Sequence, residues 1–102
     1  MQNEKIVNAV IIEDEPKNVA LLKKMLQMYC PQINVCGDAN SIEDAVKLIR
    51  NSKPDLVFLD IEIGGGNAFN LLDILKPIKF DIIFVLNVDR LRLSTCNLII
   101  YL

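Results

Sequence analysis

Apolar residues recur along this chain in two rhythms that take turns. The runs Ala9-Val10-Ile11-Ile12, Leu56-Val57-Phe58-Leu59 and Ile82-Ile83-Phe84-Val85-Leu86 are apolar at every position, as strands covered on both faces of a sheet must be. Ile33-Asn34-Val35-Cys36 alternates instead and stops at Gly37, the period of a strand with one wet face. Between the runs, apolar residues return every three or four positions: Val19, Leu22, Leu26 and Tyr29; then Ile42, Val46 and Ile49; then Phe69, Leu72 and Leu75. Each stripe predicts an amphipathic helix. Pro16 suits a first helical turn, where its missing N–H costs nothing. Ser41, followed by Asp44, reads as a capping box. Pro31, Pro54 and Pro77 close the three helices, and Gly64-Gly65-Gly66-Asn67 reads as a loop.

Strand and helix alternate three times, the order that builds βαβ units with right-handed crossovers. The expected fold class is therefore α/β: a flavodoxin-like, doubly wound parallel sheet of order 2-1-3-4-5, counting the apolar runs along the chain. A fifth run, Leu98-Ile99-Ile100-Tyr101-Leu102, follows after residues 87–97 alone, at the lower limit of about a dozen residues for a parallel crossover. No helical stripe marks that connection and none follows the fifth run. The fourth helix is thus expected to be shortened and a last helix missing, with 87–102 atypical or truncated. An apolar sheet face left uncovered there favours association, so a homodimer is an expectation. At 102 residues the chain fits a single domain over 1–102.

Composition narrows the chemistry. With 52% apolar and 24% charged residues, a packed core is expected rather than disorder. Eleven Lys and Arg against thirteen Asp and Glu leave a charge of -2, so no basic field exists to hold a nucleic-acid backbone directly. Histidine is absent, which removes Ser-His and Cys-His nucleophiles, His-based zinc sites and any role as a histidine phosphodonor. The three cysteines, Cys30, Cys36 and Cys96, form no close pair; they read as small buried hydrophobes in a reducing compartment. No run approaches the roughly 20 apolar residues of a membrane helix, and a cytoplasmic protein without membrane contact is expected. Lys17, Lys23, Lys24 and Lys47 read as solvated helix faces, and Phe58, Phe69, Phe80 and Phe84 as core.

The candidate chemistry lies at strand ends. In open parallel sheets, ligands bind beyond the carboxyl ends of the strands at the topological switch point. The first run ends at Glu13-Asp14 and the third at Asp60, and in the expected order those ends are neighbours. Three carboxylates brought together repel one another, and a hard divalent cation such as Mg2+ resolves the conflict. A carboxylate beside Mg2+ can also attack a phosphoryl group, and Asp60 is best placed to do so.

Ile11-Ile12-Glu13-Asp14-Glu15-Pro16, Pro54-Asp55-Leu56-Val57-Phe58-Leu59-Asp60-Ile61 and Gly65-Gly66-Asn67 together resemble the receiver domain of two-component response regulators. The wording is closest to receivers of LytTR-type transcriptional regulators, and the likeness runs over residues 7–86. The resemblance implies a CheY-like fold, with Asp60 as phosphoacceptor, Glu13 and Asp14 as the acidic metal pair, and Glu62 offering its backbone carbonyl to Mg2+. It implies a sensor histidine kinase as partner and a DNA-binding output domain that is not in this chain. It also marks two departures. Leu86 stands where the family has Ser or Thr, and Tyr101 aligns with the family's Lys at the tip of the fifth strand. Arg90 and Arg92 are the remaining cations near that end.

The first functional expectation is a phosphoacceptor receiver that turns over no external substrate. Leu86 and Tyr101 favour the alternative, a degenerate or truncated pseudo-receiver acting as a protein-interaction module without phospho-switching. A small Mg2+-dependent phosphohydrolase ranks third, because Asp60-Ile61-Glu62 lacks the Asp-x-Asp of haloacid-dehalogenase-type phosphatases and the chain offers no cap.

Overall fold

The computed structural model describes residues 5–85 and, for its backbone, the strand 98–101. Its elements run β1 (Val7–Ile12), α1 (Pro16–Tyr29), β2 (Ile33–Ala39), α2 (Ile42–Ser52), β3 (Leu56–Asp60), β4 (Glu62–Ile63), β5 (Gly66–Asn67), α3 (Ala68–Leu75), β6 (Asp81–Val85) and β7 (Leu98–Tyr101). A five-stranded sheet has the order β2-β1-β3-β6-β7, and β4 and β5 form a small separate ribbon. β1, β2, β3 and β6 are mutually parallel along their shared ladders. This is the expected α/β, flavodoxin-like arrangement.

The fifth strand differs. β7 lies next to β6 as expected but runs antiparallel to it, with Leu98 opposite Val85 and Tyr101 opposite Ile82. A parallel return needs a crossover of about a dozen residues or more, usually helical, whereas an antiparallel return needs only a turn. Residues 86–97 stand only at that lower limit. The shortened fourth helix expected there lies outside the described residues, as do Leu86, Arg90, Arg92 and Cys96.

The sheet divides the core by strand alternation. Ala9 and Ile11 of β1, Leu56 and Phe58 of β3, and Ile83 and Val85 of β6 face α1, where Leu22 and Leu26 cover them. Val10, Ile12, Val57, Leu59, Ile82 and Phe84 face the other way, onto Ala45 and Ile49 of α2 and Ala68, Leu71 and Leu75 of α3. β2, at the sheet edge, alternates half-buried and exposed residues and continues past Gly37 to Ala39.

Helix limits follow local chemistry. Pro16 opens α1, the Ser41 hydroxyl accepts the Asp44 N–H at 3.2 Å to cap α2, and Lys53 closes α2 in the left-handed region. The Gly64–Asn67 segment is more than a loop: Glu62 pairs with Asn67 and Ile63 with Gly66. Asn67 then caps α3, accepting the Phe69 and Asn70 N–H groups while its own N–H donates to the Asn70 carbonyl oxygen of the side chain.

Three side-chain expectations are corrected. α3 buries Ala68, Leu71 and Leu75, while Phe69 is 59% exposed, because the helix starts at Ala68 and so turns the neighbouring stripe inward. Tyr29 ends α1 fully in the solvent-facing turn. Cys36 is exposed and Cys30 half-buried, since Cys36 takes an outward position on edge strand β2.

Candidate functional site

Register brings the acidic residues together. Ile12 of β1 lies opposite Leu59 of β3, so the next residues on the two neighbouring strands, Glu13 and Asp60, emerge side by side. The Glu13 N–H donates to the Ala39 carbonyl at 2.9 Å, which holds the tip of β1 against β2 before the chain turns into α1. Asp60, the last residue of β3, is opposite Val85 on its other side. Both carboxylates are therefore fixed by the rigid centre of the sheet, with Asp14 on the turn between.

One oxygen from each of Glu13, Asp14 and Asp60 lies within 4.8 Å of the others. Glu13 is buried, Asp60 half-buried and Asp14 exposed. Glu13 Oε2 accepts the Glu15 N–H at 3.1 Å and the Asn18 Nδ2–H at 3.4 Å. Asp60 Oδ1 accepts the Glu62 N–H at 3.3 Å.

Among the described residues, the electrostatics are those of carboxyls with no paired cation. Burial pushes the Glu13 carboxyl from its ordinary 4.5 up to about 7, and the nearby Asp60 carboxylate adds to it, against the opposing pull of the Glu15 N–H and Asn18. Burial also raises Asp60 above its ordinary value, although the Glu62 N–H pulls the other way. Among the described residues the ion pairs are Lys23–Asp38, Lys47–Glu43 and Lys76–Asp73, none of them at this cluster. Two like-charged carboxyls with raised affinity for protons have equal reason to bind another cation.

The donor set suits a hard divalent ion. Oxygens bound to one ion at about 2.1 Å in octahedral geometry sit roughly 3 Å apart when adjacent and 4 Å apart when opposite. The observed spread needs only a small contraction to meet that geometry. All three donors are carboxylate oxygens, the chemistry favoured by Mg2+, Mn2+ and Ca2+ rather than by thiophilic metals.

Of the residues singled out in the sequence, Glu13, Asp14 and Asp60 converge. Glu62 joins through its backbone, which leaves β3 directly after Asp60 and donates back to it; its side chain is exposed. Tyr101 does not join. An all-parallel sheet would deliver it beside Asp60, but the antiparallel β7 sets it opposite Ile82, near the start of β6 rather than its end. Leu86 lies outside the described residues. Asn18 was not foreseen. Its only sequence signal is a polar residue in the first turn of a helix that opens just after the acidic pair.

The model of the family described as "Response regulator receiver domain" matches residues 9–90. The sensory transduction protein LytT of Bacillus cereus is 32% identical over 74 residues, which cover 72% of this chain and 30% of that protein. The nitrate/nitrite response regulator protein NarL of Escherichia coli is 32% identical over 76 residues, covering 74% of this chain and 35% of its own length. The chain thus spans about a third of the length of these relatives. The non-phosphorylated receiver domain of the stress response regulator RcsB from Escherichia coli superposes with a TM-score of 0.71 at 19% identity, over 79% of this chain and 65% of that one. The fold, the strand-end carboxylates and the family match agree: the chain belongs to the response regulator receiver domain family.

Proposed function

We propose that the chain is a phosphoacceptor receiver working in the cytoplasm, with Asp60 taking a phosphoryl group from the phosphohistidine of a sensor kinase. One observation carries the reading: three carboxylates from two adjacent strand ends meet within 4.8 Å. A carboxylate oxygen of Asp60 attacks phosphorus, the P–N bond to the kinase imidazole breaks, and the departing nitrogen keeps its electron pair and is protonated by solvent. Glu13, Asp14 and Asp60, with the Glu62 carbonyl, would hold Mg2+, which supplies charge neutralisation for the incoming phosphoryl oxygens. Glu13 gives up its proton to take part, since a metal ligand must be a carboxylate. The Glu62 N–H keeps Asp60 oriented at the end of β3. The phosphoryl group stays on the chain as a signal for an output domain, so no external substrate is turned over.

A second reading is supported by the antiparallel β7. Receivers of this kind place a cation at the tip of the fifth strand, and here that strand runs away from the site. A pseudo-receiver that binds a partner without being switched follows if phosphorylation leaves the surface unchanged. The deciding experiment is intact mass after incubation with acetyl phosphate and Mg2+, beside Asp60→Asn. Gain of one phosphoryl group, absent in Asp60→Asn, is the expected result. No gain in a sample shown to be folded by circular dichroism refutes the phosphoacceptor role and leaves the interaction module.

A further inference from the structure

Asn18 sits in the first turn of α1, its N–H bonded to the Glu15 carbonyl at 3.0 Å. A polar side chain at this position usually reaches back to the backbone of the N-cap residue. Here it passes the N-cap and meets a side chain: Asn18 Nδ2 donates to Glu13 Oε2 at 3.4 Å, on the same oxygen that accepts the Glu15 N–H at 3.1 Å. Glu15, the N-cap residue, makes no side-chain capping bond of its own. Both donors therefore converge on one oxygen of Glu13, whose carboxyl also faces the Asp60 side chain.

The far end of the same amide carries the second observation. Asn18 Oδ1 is buried and is the one buried side-chain polar atom among the described residues without a hydrogen-bond partner. A buried acceptor left unmade is costly, and since no protein group donates to this one, its donor must come from a water or a ligand. With Glu13 ionised, as a metal ligand must be, turning the amide over would not help, because Oδ1 would then face a carboxylate oxygen with no hydrogen between them. The neighbouring groups of the cluster are carboxylates, acceptors themselves. A hydrated divalent cation brings the missing donors, because Mg2+ keeps several of its waters when protein carboxylates bind it.

We infer that Asn18 is a positioning residue for the metal site: its Nδ2 fixes Glu13 so that one oxygen faces the cation, and its Oδ1 accepts from a water of the cation's hydration shell. This rests on the proposed metal-assisted reading of the site and goes beyond it by assigning a neutral residue that is not itself a ligand. Outer partners of metal ligands commonly change affinity by 10–100-fold when removed.

The test uses Mg2+ itself as the probe, with the whole chain. Isothermal titration of wild type, Asn18→Ala and Asn18→Leu should show Mg2+ binding weakened about tenfold in both variants. Wild-type and variant affinities within twofold of each other overturn the role. Because either variant alters the first turn of α1, a second measurement uses wild type alone. In amide NMR spectra with Mg2+ added, the side-chain NH2 resonances of Asn18 should shift with the same midpoint as the heat signal. Those of Asn34, bonded to Asn8 Oδ1 at 3.1 Å near the start of β1, should stay in place. An Asn18 side-chain amide unmoved at Mg2+ saturation refutes the inference even if the variants misfold. Wild type that takes up no Mg2+ fails differently: it removes the metal reading of the site, and the role of Asn18 falls with it.

Discussion

Glu13 is a buried acid with no ion-pair partner among the described residues, and that has a measurable consequence for the metal-free protein. Folding raises its pKa from 4.5 to about 7, so the folded state holds this proton more tightly than the unfolded chain does. Below about pH 4.5 both states are protonated and the group contributes nothing either way. Between there and pH 7 the unfolded chain releases the proton first, and stability falls as pH rises. Above pH 7 the full penalty is present. Two and a half pH units correspond to about 3 kcal/mol at most; coupling to Asp60 and solvent reaching the rim of the site bring the expectation to about 1–2 kcal/mol. Glu13→Gln keeps the shape and an oxygen for the Glu15 and Asn18 donors but carries no charge. Thermal melts by circular dichroism, in chelator, from pH 4.5 to 8.5, should show the two proteins alike at the acid end. Toward pH 8 the variant should melt roughly 5–15 °C higher, given about 4–8 °C per kcal/mol for a domain of this size. Asp60, whose titration is linked to that of Glu13, shifts with the substitution; the remaining titrating groups are common to both proteins and cancel in the difference. A gap that stays constant across the pH range refutes the buried-charge account of this site.

Other outcomes follow from the packing. Gly66 has φ +154, and a Cβ there would lie 2.5 Å from Asn70 Oδ1 and 2.8 Å from Ile42 Cδ1; Gly66→Ala should cost about 1–3 kcal/mol in urea unfolding, and an unchanged midpoint would show that the ribbon relaxes freely. Phe58, fully buried between the sheet and α1, should lose about 3–5 kcal/mol on conversion to Ala, read as a drop in the urea midpoint at constant slope; a loss under 1 kcal/mol would mean that the α1 side collapses to fill the space.

Much of this fold was legible because its signals are redundant. The three runs apolar on both faces left few alternatives to a central parallel sheet, and the acidic residues at their ends inherit their meeting from strand register rather than from long-range coincidence. The direction of β7 was not legible, since Leu98-Ile99-Ile100-Tyr101 reads the same from either end and only the length of the preceding connection bears on orientation. In α3 the stripe Phe69, Leu72 and Leu75 was right for Leu75 and for Leu72, which packs against the core, but not for Phe69; the cap at Asn67 sets the phase that buries Ala68 and Leu71 instead. Asn18 was hidden for a different reason. Its partner is a side chain two residues outside its helix's N-cap, and single-residue propensities carry no record of such a pairing.

The ribbon that follows Asp60 ties two parts of the molecule together. Gly64 bridges to Ser41, and its carbonyl accepts the Ile42 N–H at 2.9 Å, while a Cβ on Gly64 would fall 3.0 Å from the Asn40 carbonyl. In mechanical terms the segment is a hinge pin shared by the tip of β3 and the head of α2, with almost no clearance on either side. The chain just after Asp60 is thus tied to the β2–α2 corner, on the β1 side of β3 rather than toward β6. A side chain added at Gly64 would therefore register at the carboxylate cluster without touching it, as slack in a joint registers at the end of the arm it carries.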